Sequence, residues 1–419
     1  MDRSRHTVVI VLLGGLSALG PFAIDTYLPG FLVIARDLKT DVAHVGFTLT
    51  SYILGVAVGQ LVYGPILDRW GRKKPLVIGT AIFSAAAIGC ALAPSINWLI
   101  TLRLFLALGG SVGLVGSRAI IRDLFSGRDI ARALSMLMMV FGVAPVIAPT
   151  MGGLLVAAFG WRSVFAVLAG ISVLMVVAVK HYLYESKGCD PSVSLRPKHV
   201  LVSYIAVFKE REFTLYALAA AATSGALFSY LTGAPFLYGH LFGFTVSQTG
   251  WLIGMNACAL IAANQVNRMA LRRYGSSRVL VTATSVQATT GLLLLAGALS
   301  GFLPRTATLG LIVCYLFCFG FVFPNAIALA LQPFSRNAGS ASALVGSIQM
   351  GAGALASWSV SYFHNGTPVP MILTMTVSAV VSLVLFVWGA LPPRVDNGQP
   401  VPDPPSRIVK RLVGPEKSG

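Results

Sequence analysis

Acidic residues are scarce in this chain: 14 aspartates and glutamates in 419 residues, with only 11% of all positions charged. A soluble domain carries about 25% charged residues, so this composition excludes an ordinary water-facing surface. Cysteine is also sparse. Of the five, Cys90, Cys258, Cys314 and Cys318 lie in apolar segments and Cys189 in a charged stretch, so no disulfide framework is implied. The six histidines sit at segment ends or in loops with no pair at ligand spacing. With no acid cluster and no nucleophile–base set inside the apolar segments, no metal site is expected, and an intramembrane enzyme is only a remote alternative.

What the chain has is hydrophobic length: 56% of its residues are apolar. Twelve apolar segments, the first at 8–34 and the last at 368–391, each approach the ~20 residues needed to cross a ~30 Å hydrocarbon core as helix. The first segment is too long for a secretory signal core and is read as an uncleaved helix. The fold class is therefore an all-α membrane protein, with the lipid bilayer as its surroundings.

A net charge of +17 invites a nucleic-acid reading, but the positions of the basic residues exclude it. With the N-terminus inside, 26 of the 31 lysines and arginines fall at cytoplasmic ends, loops or the tail. Both termini are thus expected in the cytoplasm.

Residues 185–211, rich in charge and proline, divide the segments six and six. The expected organisation is an N-terminal half at 1–184, a cytoplasmic linker at 185–211, a C-terminal half at 212–391 and a disordered cytoplasmic tail at 392–419. The halves echo each other. Leu67, Arg69, Trp70, Gly71 and Lys74 recur at a constant offset of 204 as Leu271, Arg273, Tyr274, Gly275 and Arg278. A parallel six-helix repeat is a transporter architecture, with substrate bound near the midplane between rocking halves.

Within GPFAIDTYLPG, residues 20–30, Asp25 is the one acid inside an apolar segment. A charge there costs at least ~2.5–3.5 kcal/mol on insertion scales. It is read either as a structural carboxylate or as a proton carrier, on a helix loosened by Pro21 and Pro29. Arg103 is the one basic residue well inside a segment: either it snorkels to the surface or it faces the cavity and biases Asp25. Between segments 2 and 3, GPILDRWGRKK runs from Gly64 to Lys74 and holds Asp68, Arg69, Gly71, Arg72 and Lys73. The loop is read either as a passive positive-inside turn or, because Asp68 is unfavourable at a helix C-terminus unless paired, as a gating latch with Arg118 and Arg122 as its partners. Segment 5 carries Gly142, Pro145, Pro149, Gly152 and Gly153, which permit close approach and bending. Candidate substrate contacts are Tyr27, Tyr52, Gln60, Tyr230, Phe236, Asn256, Asn325 and Gln349.

These stretches, with RAIIRDLF at Arg118, GWRSVF at Gly160, TGAPF at Thr232, FPNAIALAL at Phe323 and AGSASALVGSIQ at Ala338, resemble the Bcr/CflA drug-resistance group of the major facilitator superfamily. The resemblance implies a twelve-helix drug/proton antiporter of two six-helix halves in a bacterial inner membrane. It implies efflux of small amphiphilic drugs or antibiotics, with export of a metabolite such as a purine or amino-acid derivative as the alternative. It assigns Asp25 and Arg103 to proton coupling, Gly64–Lys74 to the inward gate and Gly142–Gly153 to the antiporter motif. Leu106 departs from the pattern, standing where relatives often carry glutamine. The expected partner is a small molecule, leaning neutral or zwitterionic; the expected state is a monomer with no cofactor beyond the proton gradient.

Overall fold

Apolar runs of 19 to 31 residues satisfy their backbone groups in lipid by coiling into helices. The computed structural model describes residues 3–126, 128–191, 204–334 and 338–390, and every regular element among them is helical. Twelve runs are long and apolar enough to cross a membrane, as the sequence leads one to expect.

Helices α1 (Arg3–Asp25) and α2 (Phe31–Asp37) together make the first crossing. The rest of the first half is α3 (Val42–Trp70), α4 (Lys73–Ala91), α5 (Ile96–Leu124), α6 (Arg128–Phe159) and α7 (Arg162–Tyr182). The second half comprises α8 (Arg211–Pro235), α9 (Val246–Arg273), α10 (Ser276–Ser300), α11 (Arg305–Leu331), α12 (Ala338–Tyr362) and α13 (Val369–Ala390), with a π-helical turn at Phe236–Leu241 extending α8. Linker residues 192–203 and the tail at 392–419 lie outside the described residues.

Many large apolar side chains point outward: Leu174 is 67% exposed, and Leu292 and Leu293 are about half exposed. Such a surface suits a hydrocarbon solvent. Inside the first half, α5 packs against α3 and α4, and α1 lies against α5, α6 and α7.

The halves meet along two seams, α3 on α12 and α6 on α9. An offset of six crossings maps one seam onto the other, as the repeat requires. Twelve crossings return the chain to its starting side, so the start of α1 and the end of α13 share a termini face. The tight contacts run inward from the opposite, far face. Thr50 and Ser357 share a hydroxyl hydrogen bond of 2.8 Å, and Thr232 donates to Ser357 at 2.9 Å. A Cβ on Gly46 would strike Ser361, one on Gly250 the Pro149 carbonyl, and one on Gly254 would sit 2.8 Å from the Val146 carbonyl. The far face is therefore closed.

The repeated turns after α3 and α9 occupy equivalent places but differ in shape. Gly71 has φ +80° and Gly275 φ −64°, so only the first uses the freedom of glycine to fold back sharply.

Candidate functional site

Pro29 has no N–H to donate, and the first crossing breaks just ahead of it. Helix α1 stops at Asp25, Leu28–Gly30 forms a single 3₁₀ turn, and α2 starts at Phe31. Consequently the bond from the Tyr27 N–H that an unbroken helix would give the Ala23 carbonyl is not made. That carbonyl accepts from Arg103 Nη1 instead, at 2.6 Å.

Arg103 neither snorkels nor faces the cavity, which corrects both readings of it. Its side chain is fully buried inside the first half. The guanidinium carbon lies 4.1 Å from the Tyr27 ring centroid, 4.3 Å from that of Tyr52 and 5.8 Å from that of Phe165. A planar, weakly hydrated guanidinium stacks on aromatic faces where an ammonium would not, so this sleeve substitutes for water. Nε and Nη2 have no hydrogen-bond partner among the described residues. Leu106, one helical turn further on and equally buried, supplies no acceptor.

Asp25 is 6% exposed. Among the described residues its carboxylate makes no hydrogen bond or ion pair, and its oxygens, unlike those guanidinium nitrogens, are not sealed from solvent. Asp25 ends α1 at the 3₁₀ turn, which packs against α6 of its own half and α8 and α9 of the other. A reachable carboxylate with no fixed partner, facing the opposite half, can accept and release a proton.

Across from it, Asn256 of α9 donates to the hydroxyls of Tyr230 at 2.7 Å and Tyr238 at 3.0 Å. Tyr238 was not legible as a site residue in the sequence. The π-turn that carries it has no simple pattern, although Pro235 just before it hinted at an irregular helix end.

At the termini face, Asp68 pairs with Arg72 at 2.9 Å and with Lys187 at 3.3 Å, not with Arg118 or Arg122. The Gly71 turn brings Arg72 back over the end of α3, within reach of Asp68. Arg72 Nε also binds Asp123 at 2.8 Å, and its backbone N–H donates to Glu185 at 2.6 Å. Burial works against the charged form of Arg72, but hydrogen bonds to Asp123 and Asp68 outweigh it and raise its pKa above the ordinary value. The Arg69 carbonyl accepts from the Asp190 N–H, and Lys73 Nζ donates to the Lys180 carbonyl. The loop therefore grips the start of the linker. Arg118 and Arg122 make no ion pair among the described residues, and a Cβ on Gly64 would meet nothing.

In α6, Pro145 and Pro149 lie inside the helix. A Cβ on Gly152 would collide with the Thr26 carbonyl at the break in the first crossing, whereas one on Gly153 would sit 3.0 Å from the Val246 carbonyl of the other half. Gly142 has open space beside it. The motif thus presses on the break and on a seam at once.

The eight proposed substrate contacts separate. Tyr27 and Tyr52 sheathe Arg103, with Tyr27 also bonded to Thr48 at 2.9 Å. Asn325 ties α11 to α9 through Asn267 at 2.9 Å. Gln60 lies across the α3–α12 seam against Gly346. Phe236 stacks on His240 and meets His364 edge-on near the far face. Gln349 is buried with Nε2 unpartnered. Only Tyr230 and Asn256 converge.

Comparisons with known proteins agree with this geometry. The family model of the Major Facilitator Superfamily matches residues 10–357. The chain is 34% identical over 382 residues to the uncharacterized MFS-type transporter YdgK of Bacillus subtilis, covering 90% of this chain and 93% of that one. It is 31% identical over 397 residues to a bicyclomycin resistance protein homolog of Haemophilus influenzae, covering 93% and 98%. Among solved structures it is similar to a bacterial homolog of the human lysosomal transporter Spinster, at TM-score 0.73 and 14% identity, covering 93% of this chain and 98% of that one. It is also similar to a D-xylose-proton symporter, at TM-score 0.70 and 14% identity, covering 92% and 96%. The chain belongs to the major facilitator superfamily and is a multi-pass membrane transporter of small molecules rather than an enzyme.

Proposed function

We propose that this transporter exports small amphiphilic compounds, antibiotics among them, across a bacterial inner membrane in exchange for protons. The termini face is cytoplasmic, as the 26 basic residues on that side favour. The observation that carries the reading is Asp25: a nearly buried, solvent-reached carboxylate without a partner among the described residues, at a helix break between the halves. Its relatives' resistance names support drug export.

With the far face closed, substrate enters from the cytoplasm while Asp25 loses its proton to that side. Rocking about the two seams then opens the far face, substrate leaves, and Asp25 is reprotonated from outside. One charge moved through 100 mV supplies ~2.3 kcal/mol, enough for a roughly fifty-fold gradient. Arg103 fixes the end of α1 and so the position of the carboxylate.

Reconstituted vesicles with an imposed pH gradient test this reading with a substrate panel. Wild type is expected to accumulate substrate against its gradient, and Asp25→Asn to allow only downhill exchange. Uphill accumulation by the variant equal to wild type would sink the role of Asp25.

A further inference from the structure

In a straight helix, the eight steps from Tyr230 to Tyr238 rise about 12 Å along the backbone. Here the rings sit 6.5 Å apart and the hydroxyls 3.4 Å. The π-turn rearranges the backbone, with Phe242 N–H reaching the Leu237 carbonyl at 3.0 Å, and π-turns are frequent at functional sites. Both tyrosines are brought onto one residue of the neighbouring helix, Asn256.

An asparagine amide has two hydrogens and a tyrosine hydroxyl has one. Both Asn256 hydrogens are used, one on each tyrosine. The Asn256 Oδ1 keeps its lone pairs, has no partner among the described residues and is not sealed from solvent. Of the two hydroxyl hydrogens, one lies between the tyrosine oxygens and the other has no acceptor among the described residues. The cluster thus presents one acceptor and one donor side by side. Its side chains are 2%, 0% and 4% exposed, so packing holds that pair in place. Phe244 borders it, with its ring 6.5 Å from Tyr238.

We infer that Tyr230, Tyr238 and Asn256 form a recognition subsite for an uncharged amide-type group, an N–H or O–H beside a carbonyl, on the exported compound. The inference rests on the efflux reading and narrows its substrate class. A ligand with a matching donor and acceptor pairs both free positions. A lipophilic cation without donors leaves the Asn256 oxygen desolvated and unpaired, and sites built for hydrogen bonds discriminate strongly against ligands that lack them.

The test uses the full chain in proteoliposomes under an imposed pH gradient, with two probes: chloramphenicol, which is neutral and carries a secondary amide, and tetraphenylphosphonium, which has no donor. The readout is the ratio of the two transport efficiencies. Asn256→Leu and Tyr230→Phe are expected to lower that ratio about tenfold, ~1.4 kcal/mol of discrimination, with thermal melting verifying that each variant folds. A ratio unchanged in both folded variants overturns the subsite, as does wild-type transport of tetraphenylphosphonium without chloramphenicol. If wild type moves neither probe nor any panel compound, the efflux reading itself fails, a result distinct from a failure of the subsite alone.

Discussion

Arg103 holds the Ala23 carbonyl at 2.6 Å and, among the described residues, makes no ion pair with Asp25 two positions along. The cation is fastened to the backbone of α1 rather than to the acid. It therefore fixes where the helix ends, and the carboxylate has no ion-pair partner among the described residues.

Replacing the guanidinium should expose that role. Arg103→Lys keeps the charge but loses the planar fit between Tyr27 and Tyr52, and each lost cation–π contact is worth roughly 0.5–2 kcal/mol. We expect lower melting temperatures in detergent for Arg103→Lys and Arg103→Ala, and coupled transport reduced to a small fraction in both. Wild-type transport by the lysine variant would contradict the stacking account.

Gly152 and Gly142 make a matched pair. A Cβ at position 152 would overlap the Thr26 carbonyl, whereas one at 142 meets nothing. Gly152→Ala should destabilise the protein by about 1–3 kcal/mol and slow transport; Gly142→Ala should stay within about 0.5 kcal/mol. Chemical or thermal unfolding followed by tryptophan fluorescence separates them.

Arg72→Ala removes the cation shared by Asp68 and Asp123. Asp68 is 44% exposed on its side chain, which limits the cost to roughly 1–3 kcal/mol. Lys73→Ala, which loses an exposed contact, should cost about 0.5 kcal/mol or less. Melting curves at low and high salt measure both, with the Arg72 variant losing its salt dependence.

His364 makes the far face pH-sensitive. Burial pushes its pKa below the ordinary value of about 6.5, Asp41 pulls it upward, and His240 pushes it down again. Asp41 is bound to His44 on the α3 side, while Phe236 covers the ring from the π-turn. Because the closed face holds the lower value, its stability is complete above about pH 6.5 and falls as pH drops through that value towards the depressed one. Labelling of Ser361→Cys by a membrane-impermeant maleimide, divided at each pH by the rate for a free thiol so that the falling thiolate fraction cancels, should quicken between about pH 7 and about pH 5.5. The same experiment in a His364→Gln background should show little change.

Span count and a weak point in the first helix near Asp25 were legible because they follow from local physics: apolar length and proline without a donor. The surroundings of Arg103 were not. Its depth could be counted along one helix, but whether it faced lipid, cavity or core depended on how α1, α3 and α7 close around α5. For the same reason Tyr27 and Tyr52 read as cavity contacts, although they serve the arginine. Asp68 was seen to need a cation, yet Lys187 comes from the linker and Arg72 arrives only through the Gly71 turn. Tyr238 escaped notice because a π-turn moves it out of helical register.

The two seams separate speed from selection. Along them Gly46, Gly153, Gly250 and Gly254 bring helices together with little side chain between, so the halves can roll on one another without unlocking interdigitated groups. Bulk added there would lengthen the cycle for every exported compound by a common factor. Changes around Tyr230 and Asn256 would alter which compounds enter the cycle.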